Sequence, residues 1–358
     1  MVNNPERKKV LILYNNLFHY RIPIFKLVSE KYDLTVAFSI GPDVENAGFK
    51  ILRLGIFKFK RFVIHKRNIF KLCQQFDVVI ALGDISWIKF STLVFHRKRL
   101  FKLIFWSPGV SASYDKKFDA ISRWDSVRDF FYKRADALIF YTDYPIKKYI
   151  SRGFNSQKLF VAPNTVEVYN DVPDVNAAKD SLLFIGSLYK EKGIMSLLES
   201  YKSAYIRDQN IPSLNIVGDG ADFENIKAWI ATNSFKNKIF LHGLIYDPKI
   251  KSNFFKRAYA CISPVQAGLS VLESMGYGVP FITMHDSITG GERLSILNGI
   301  NGILMTEIGE LTDIIIDISR DPQKYIKMGE QAVKHYRATH KPEDMANGIL
   351  ASINCVLK

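Results

Sequence analysis

Short apolar runs alternate along the chain with longer stretches of mixed polarity. Those at residues 10–14, 34–38, 78–82, 103–106, 137–141 and 159–162 have the length and composition of strands buried on both faces. Between them, residues 22–31 and 123–134 are long enough for crossover helices. A second series follows, with strands expected at 181–185, 214–217, 239–241, 259–263, 281–284 and 302–305, and helices at 195–204, 223–231 and 249–257. After Pro322 the pattern stays helical. Strands that alternate with helices predict parallel sheets covered on both faces, so the fold class is α/β, two doubly wound Rossmann-like domains. Residues 165–180, TVEVYNDVPDVNAAKD, are polar, hold a proline and lack a period, and are expected to link the two. The expected division is 1–170, 171–335, and a C-terminal helix at 336–358 packing back toward the N-terminal domain. Two such domains turn the carboxyl edges of their sheets toward a cleft, where ligands bind.

Composition agrees with two cores. A chain of 358 residues with 47% hydrophobic side chains exceeds one ordinary domain. Cys73, Cys261 and Cys355 are far apart, odd in number and without metal spacing, which points to a reducing compartment. The start, MVNNPERKKVLILYNN, reads as a first strand rather than a signal peptide, and no window is apolar enough to span a bilayer. Charge changes the picture more. The net +14 lies wholly in the first half: residues 1–170 carry 29 Lys and Arg against 14 Asp and Glu, the remainder 20 against 21. The excess concentrates in FKFKRFVIHKRNIFK (57–71) and FHRKRLFK (95–102), where aromatic and basic residues interleave. Such stretches suit an anionic lipid surface, rings at the headgroup boundary and cations on phosphate; a nucleic-acid patch has the same charge. A cytoplasmic protein held peripherally at the inner face of the membrane, with no nucleic-acid partner, is the expectation.

The chemistry gathers at the strand ends of the second domain. Residues 258–281, AYACISPVQAGLSVLESMGYGVPF, read as strand, glycine loop and helix, which puts a helix start at the carboxyl edge of the sheet, suited to phosphate. Glu273, one turn in, either accepts ribose hydroxyls or simply caps its helix. In FIGSLYKEKG (184–193), Gly186 leaves room for a ligand and Lys192 can set a cation over a diphosphate. VGDG (217–220) and LHG (241–243) end the next two strands.

In that order and spacing, and with GGERLSILNGINGIL after them, these motifs resemble the nucleotide-sugar-binding domain of the family 4 glycosyltransferases, which have the GT-B fold. NNLFHYRIPIF (15–25), RADALIFYTDY (134–144) and VAPNTV (161–166) are similar to the N-terminal domain of its bacterial surface-polysaccharide members. The resemblance implies a metal-independent transferase acting with retention of configuration, without a cofactor, on a UDP- or GDP-linked sugar donor and an oligosaccharide acceptor, expected to be lipid-linked. It implies Lys192 on the diphosphate and Glu273 on the ribose, with Gly186, Ser187, Gly218, His242, Gln266, Gly268, Leu269 and Ser270 completing the donor site.

The chain departs from the family pattern at Val265, where a glutamate is usual and Gln266 or backbone must substitute, at Ser187 in place of arginine, at Leu294 in place of glutamate, and in FWSPG (105–109), which lacks the usual histidine. There is no Asp-x-Asp, so no metal clamp is expected. On the acceptor side Asn16, His19, Arg21, Asp84 and Ser107 end strands or start helices of the first domain, His19 as a proton carrier and Arg21 as a grip on an anionic or hydroxylated group. A nucleotide-sugar epimerase of the same fold and a non-catalytic polyanion- or membrane-binding scaffold are the other readings.

Overall fold

The computed structural model describes residues 7–111, 118–169 and 178–358. Among these, 7–111, 119–164 and 342–358 cluster as one compact unit, and 118, 165–169 and 178–341 as a second. Of the expected linker, 170–177 lie outside the described residues, while 165–169 belong to the second unit.

In the first unit, β1 (Lys9–Leu13), α1 (Ile22–Ser29), β2 (Asp33–Phe38) and β3 (Lys50–Arg53) are followed by a hairpin, β4 (Ile56–Phe59) and β5 (Phe62–His65). After it come α2 (Ile69–Cys73), β6 (Val78–Leu82), α3 (Ile88–Ser91), β7 (Lys102–Ser107), α4 (Trp124–Tyr132), β8 (Ala137–Phe140), α5 (Tyr144–Ser151) and β9 (Leu159–Val161). Seven strands form a parallel sheet in the order β3-β2-β1-β6-β7-β8-β9. Near-continuous apolar strands such as Val10–Leu13 leave no face for water, and apolar clusters cover both sides. The helix Pro342–Leu357 supplies Met345, Ile349 and Ile353 to one of them. The expected 336–358 segment therefore divides, because the preceding helix continues to Thr339 and only the part from Pro342 joins the first unit.

The hairpin stands outside the large sheet. Its inner side buries Val63 and His65, the His65 ring stacked on Phe90 with 4.5 Å between centroids, and Val63 N–H donates to Ser86 O. Its outer side exposes Phe57 and Phe59, 60% and 58% accessible, with Ile64 opposite Phe57 and with Lys60 and Arg61 in the turn, while Lys58 lies opposite Val63 on the other side. The Arg61 guanidinium lies 3.8 Å over the half-exposed Trp124 ring. The alternating Phe-Lys sequence thus folds as an antiparallel ribbon with an exposed aromatic face, flanked at its turn by Lys60 and Arg61.

The second unit runs β10 (Ser181–Ile185), α6 (Ile194–Arg207), β11 (Ser213–Val217), α7 (Phe223–Thr232), β12 (Ile239–Leu241), α8 (Pro248–Arg257), β13 (Ala258–Ile262), α9 (Leu269–Gly276), β14 (Phe281–Met284), β15 (Gly302–Met305), α10 (Glu310–Arg320) and α11 (Pro322–Thr339). Its parallel sheet has the order β12-β11-β10-β13-β14-β15. The winding reverses between β10 and β13, so their carboxyl ends flank a topological switch point, the place where open α/β sheets bind ligands.

Candidate donor site at the second switch point

Three strand ends build one rim. After β10 the backbone turns at Gly186, whose N–H donates to Val217 O; after β11 Gly218 N–H donates to Gly243 O beyond β12. Gly218 has φ +149°, and a Cβ there would lie 1.8 Å from Gly186 O, so no other residue fits this approach of two chains. His242 closes the rim, its Nε2 2.8 Å from Asn215 Oδ1 and its ring against Phe254 of α8. Burial lowers the His242 pKa.

The loop after β13 faces the one after β10. Gly193 has φ +70°, and a Cβ on it would run into the Val265 side chain, so the loops pack without a gap. Tyr189 OH donates to Gln266 Oε1 at 2.8 Å, tying them further. Ser263 Oγ donates to Gln266 O and Thr283 Oγ1 to Pro264 O, so the 264–268 loop is braced from beneath. Gly268 is the N-cap of α9 and supplies no side-chain acceptor, and no acidic residue follows in the first turn. The amide donors at Leu269 and Ser270 therefore lack an intrahelical acceptor, with the positive end of the helix dipole behind them.

Two charged side chains bracket this helix start. Lys192 Nζ would lie 3.6 Å from a Cβ on Gly186, so the ammonium sits over the bare face of that glycine. Among the described residues it has no ion pair. Burial lowers its pKa, while Cys261 and Glu292 act the other way. Glu292 is itself buried, accepting from Thr289 Oγ1 and Gly290 N–H at 3.1 and 2.9 Å. Glu273, 9% exposed, lies in α9 and is ion-paired with Lys251 in the first turn of α8. The buried Cys261 thiol of β13 lies within electrostatic reach of both Glu273 and Lys192, so both are near that strand end. A cation, a helix start and a carboxylate thus surround one rim. Ser187 is exposed beside it.

Lys251, Glu292 and Asn215 were not among the residues read from the sequence as site groups. The capping signal Asp247-Pro248 foretells α8, but which of its lysines meets Glu273 depends on how two helices are rotated. Among the described residues no group of three or more His, Cys, Asp or Glu side chains is arranged to hold a metal ion, and no helix is long and apolar enough to cross a membrane.

The first-unit residues are placed differently. His19 is exposed, its ring edge-on to Tyr20. Asp84 is exposed and accepts from Ser86 N–H at 2.8 Å. Arg21, expected at the acceptor, is instead 3% exposed: its guanidinium donates to Asn164 Oδ1 at 2.9 Å, contacts Met345 Sδ and stacks near Tyr20, Trp106 and Tyr141. A guanidinium that aromatic rings desolvate so fully has no face left for an outside ligand. Ser107 is likewise buried, its Oγ accepting from Gly109 N–H and lying 2.7 Å from Tyr132 OH. Asn16 turns its Oδ1 inward against the Gly41 backbone, where it has no partner.

The fold is doubly wound α/β, and this rim lies at the topological switch point of its second sheet. The sequence profile described as glycosyl transferases group 1 matches residues 150–335, and the chain belongs to that family. It is 26% identical over 223 residues to the poly(glycerol-phosphate) alpha-glucosyltransferase of Bacillus subtilis, a match covering 60% of this chain but only 32% of that protein, so the chain spans about a third of that relative's length. It is 26% identical over 204 residues to the lipopolysaccharide 1,6-galactosyltransferase of Salmonella typhimurium, covering 53% and 55% of the two chains. A crystal structure of Anabaena HepE in complex with UDP-glucose superposes with a TM-score of 0.70 over 97% of this chain and 99% of that one, at 15% identity. The fold is GT-B, with two Rossmann-like sheets.

Proposed function

We propose that this chain transfers a sugar from a UDP- or GDP-linked donor to an oligosaccharide acceptor, lipid-linked, in polysaccharide or lipopolysaccharide assembly, with retention of anomeric configuration. The observation that carries the reading is the incompletely neutralised Lys192 over Gly186, set near the uncapped start of α9, the helix that carries Glu273. Lys192 and the amides of Gly268, Leu269 and Ser270 would hold the diphosphate, and Glu273 the ribose. The base would lie toward Gly218 and His242, and Gln266, tied to Tyr189, would lie beside the sugar.

The reaction forms a bond from the acceptor hydroxyl oxygen to the anomeric carbon as the bond from that carbon to the diphosphate oxygen breaks. The diphosphate leaves with the electron pair and takes the acceptor proton on the same face, which gives retention. Charge grows on the leaving diphosphate, and donors already in place stabilise it without reorganising. This division of labour needs neither a protein nucleophile nor a metal ion. His19, exposed in the first unit, is the proposed proton carrier or acceptor contact there.

The hairpin face with Phe57 and Phe59, flanked by Lys60, Arg61 and Trp124, is proposed to rest on anionic lipid at the inner face of the membrane, where exposed rings and cations have complementary partners. Two relatives are named for transfer to poly(glycerol-phosphate) and to lipopolysaccharide, which supports an envelope acceptor.

A thermal-shift panel of sugar nucleotides, followed by a transfer assay with the best donor in EDTA and NMR of the product anomer, tests the reading. Stabilisation by a uridine or guanosine diphosphate, chelator-resistant turnover and a retained anomer are expected; no shift with either nucleotide would overturn it.

A further inference from the structure

Glu273 is a carboxylate almost out of water, and such a group needs a compensating partner. The structure supplies one from a different helix. Lys251 pairs with Glu273 through Oε1, the two side chains 21% and 12% exposed. The pair is built rather than incidental. Pro248 opens α8, and Asp247 caps it by accepting from the Lys249 and Ile250 amides at 2.8 and 3.3 Å, which fixes the turn that carries Lys251. One turn further on, Phe254 packs its ring 4.6 Å from that of His242. The same helix therefore braces both the carboxylate and the histidine of the rim.

An ammonium on one carboxylate oxygen does two things. It holds the anion in a water-poor place, and it fixes the rotation of the carboxyl group, so that the lone pairs of the other oxygen keep a set direction. We propose that Lys251 is a positioning residue for ribose recognition: by gripping Oε1 it presents Oε2 to the sugar hydroxyls of the nucleotide, and the preference of the site for ribose over deoxyribose depends on it. The inference rests on the donor-site reading above and adds the residue that reading does not contain.

The test titrates the full chain with UDP or GDP, whichever binds, and with the 2′-deoxy form of the same nucleotide, for wild type, K251M, K251R and K251Q. Wild type is expected to favour the ribonucleotide by about tenfold or more, the worth of a hydrogen bond to a charged group. K251M is expected to bring that ratio to within about threefold, with K251R retaining most of it. Pyrophosphate binding, which uses Lys192 and the α9 amides, is expected to be unchanged and reports that the rim is intact. K251Q gives the same readout should K251M fail to fold. A wild type that does not distinguish the two sugars sinks the ribose role of Glu273 and this proposal with it. A wild type that distinguishes them, beside a K251M or K251Q that does so equally well, overturns the role of Lys251 alone, whatever happens to the melting temperature.

Discussion

The two sheets share a topology, each with a switch point, yet their carboxyl edges are finished in opposite ways. At the second, between β10 and β13, Lys192 lies over a bare glycine, the start of α9 has no side-chain cap, and Glu273 is paired with Lys251. At the first, between β1 and β6, the polar groups near the strand ends are folded inward. Arg21 is enclosed by Tyr20, Trp106 and Tyr141, and Ser107 is taken up by Gly109 and Tyr132, leaving His19 and Asp84 outside. Among the described residues, one edge leaves a cation and a helix start without protein ion pairs or caps while the other turns its polar groups into the packing, and the same strand-loop-helix grammar produces both.

The sharpest way to break this contrast is to remove the charge from the second edge. Lys192→Met is expected to lower kcat/KM by about 10²–10³, the usual loss when a preorganised charge-stabilising group is deleted, with little change in melting temperature because the ammonium has no ion pair to lose. Steady-state kinetics beside a thermal melt checks both. Loss of melting temperature with near-normal kcat/KM would make Lys192 a structural residue and erase the difference between the edges.

The converse substitution is Arg21→Leu. Three rings and two polar partners surround that guanidinium, so the change is expected to destabilise the first unit by about 2–3 kcal/mol while activity per folded molecule stays within about threefold. Urea denaturation and active-site-normalised rates separate the two. A stable variant with a much weakened acceptor KM would return Arg21 to the ligand side.

The contrast also explains what could be read from the chain. Strands such as Val10–Leu13 and Ser181–Ile185 were legible because apolar runs buried on both faces look alike wherever they occur. The place of Gly186, Lys192 and the 264–273 stretch at the sheet edge was legible because each follows its strand directly, so sequence order fixes it. Arg21 was legible only as a polar residue in a loop. Its direction is set by Asn164 and Met345, 143 and 324 positions away, and nothing local reports them. Lys251 was hidden for the same reason, since three lysines share its helix and only the packing of α8 beside α9 selects one. The hairpin strands were read as charge rather than structure, because the Phe-Lys alternation leaves one side unburied and the hydrophobic run too short.

That hairpin offers the mildest test, one confined to the first unit. Burial, reinforced by Lys89, pushes the His65 pKa down from an ordinary 6.5 to about 4, and Nδ1 has no partner while Nε2 lies 3.3 Å from Ser39 Oγ. Between those two pH values the unfolded chain binds a proton that the folded chain refuses. Stability from this group is therefore complete above about pH 6.5 and is lost as pH falls toward 4, by no more than about 3 kcal/mol. His65→Phe keeps the stacking on Phe90 but cannot titrate, so it should flatten the acid limb of the first unit's unfolding curve between pH 6.5 and 4.5, measured by urea titration at several pH values. The second unit's transition should not respond. An unchanged slope in the variant would mean that His65 does not set the acid sensitivity of the first unit, and the ribbon that carries Phe57 and Phe59 would then owe its hold to ties that do not titrate, such as Val63 and its bond to Ser86.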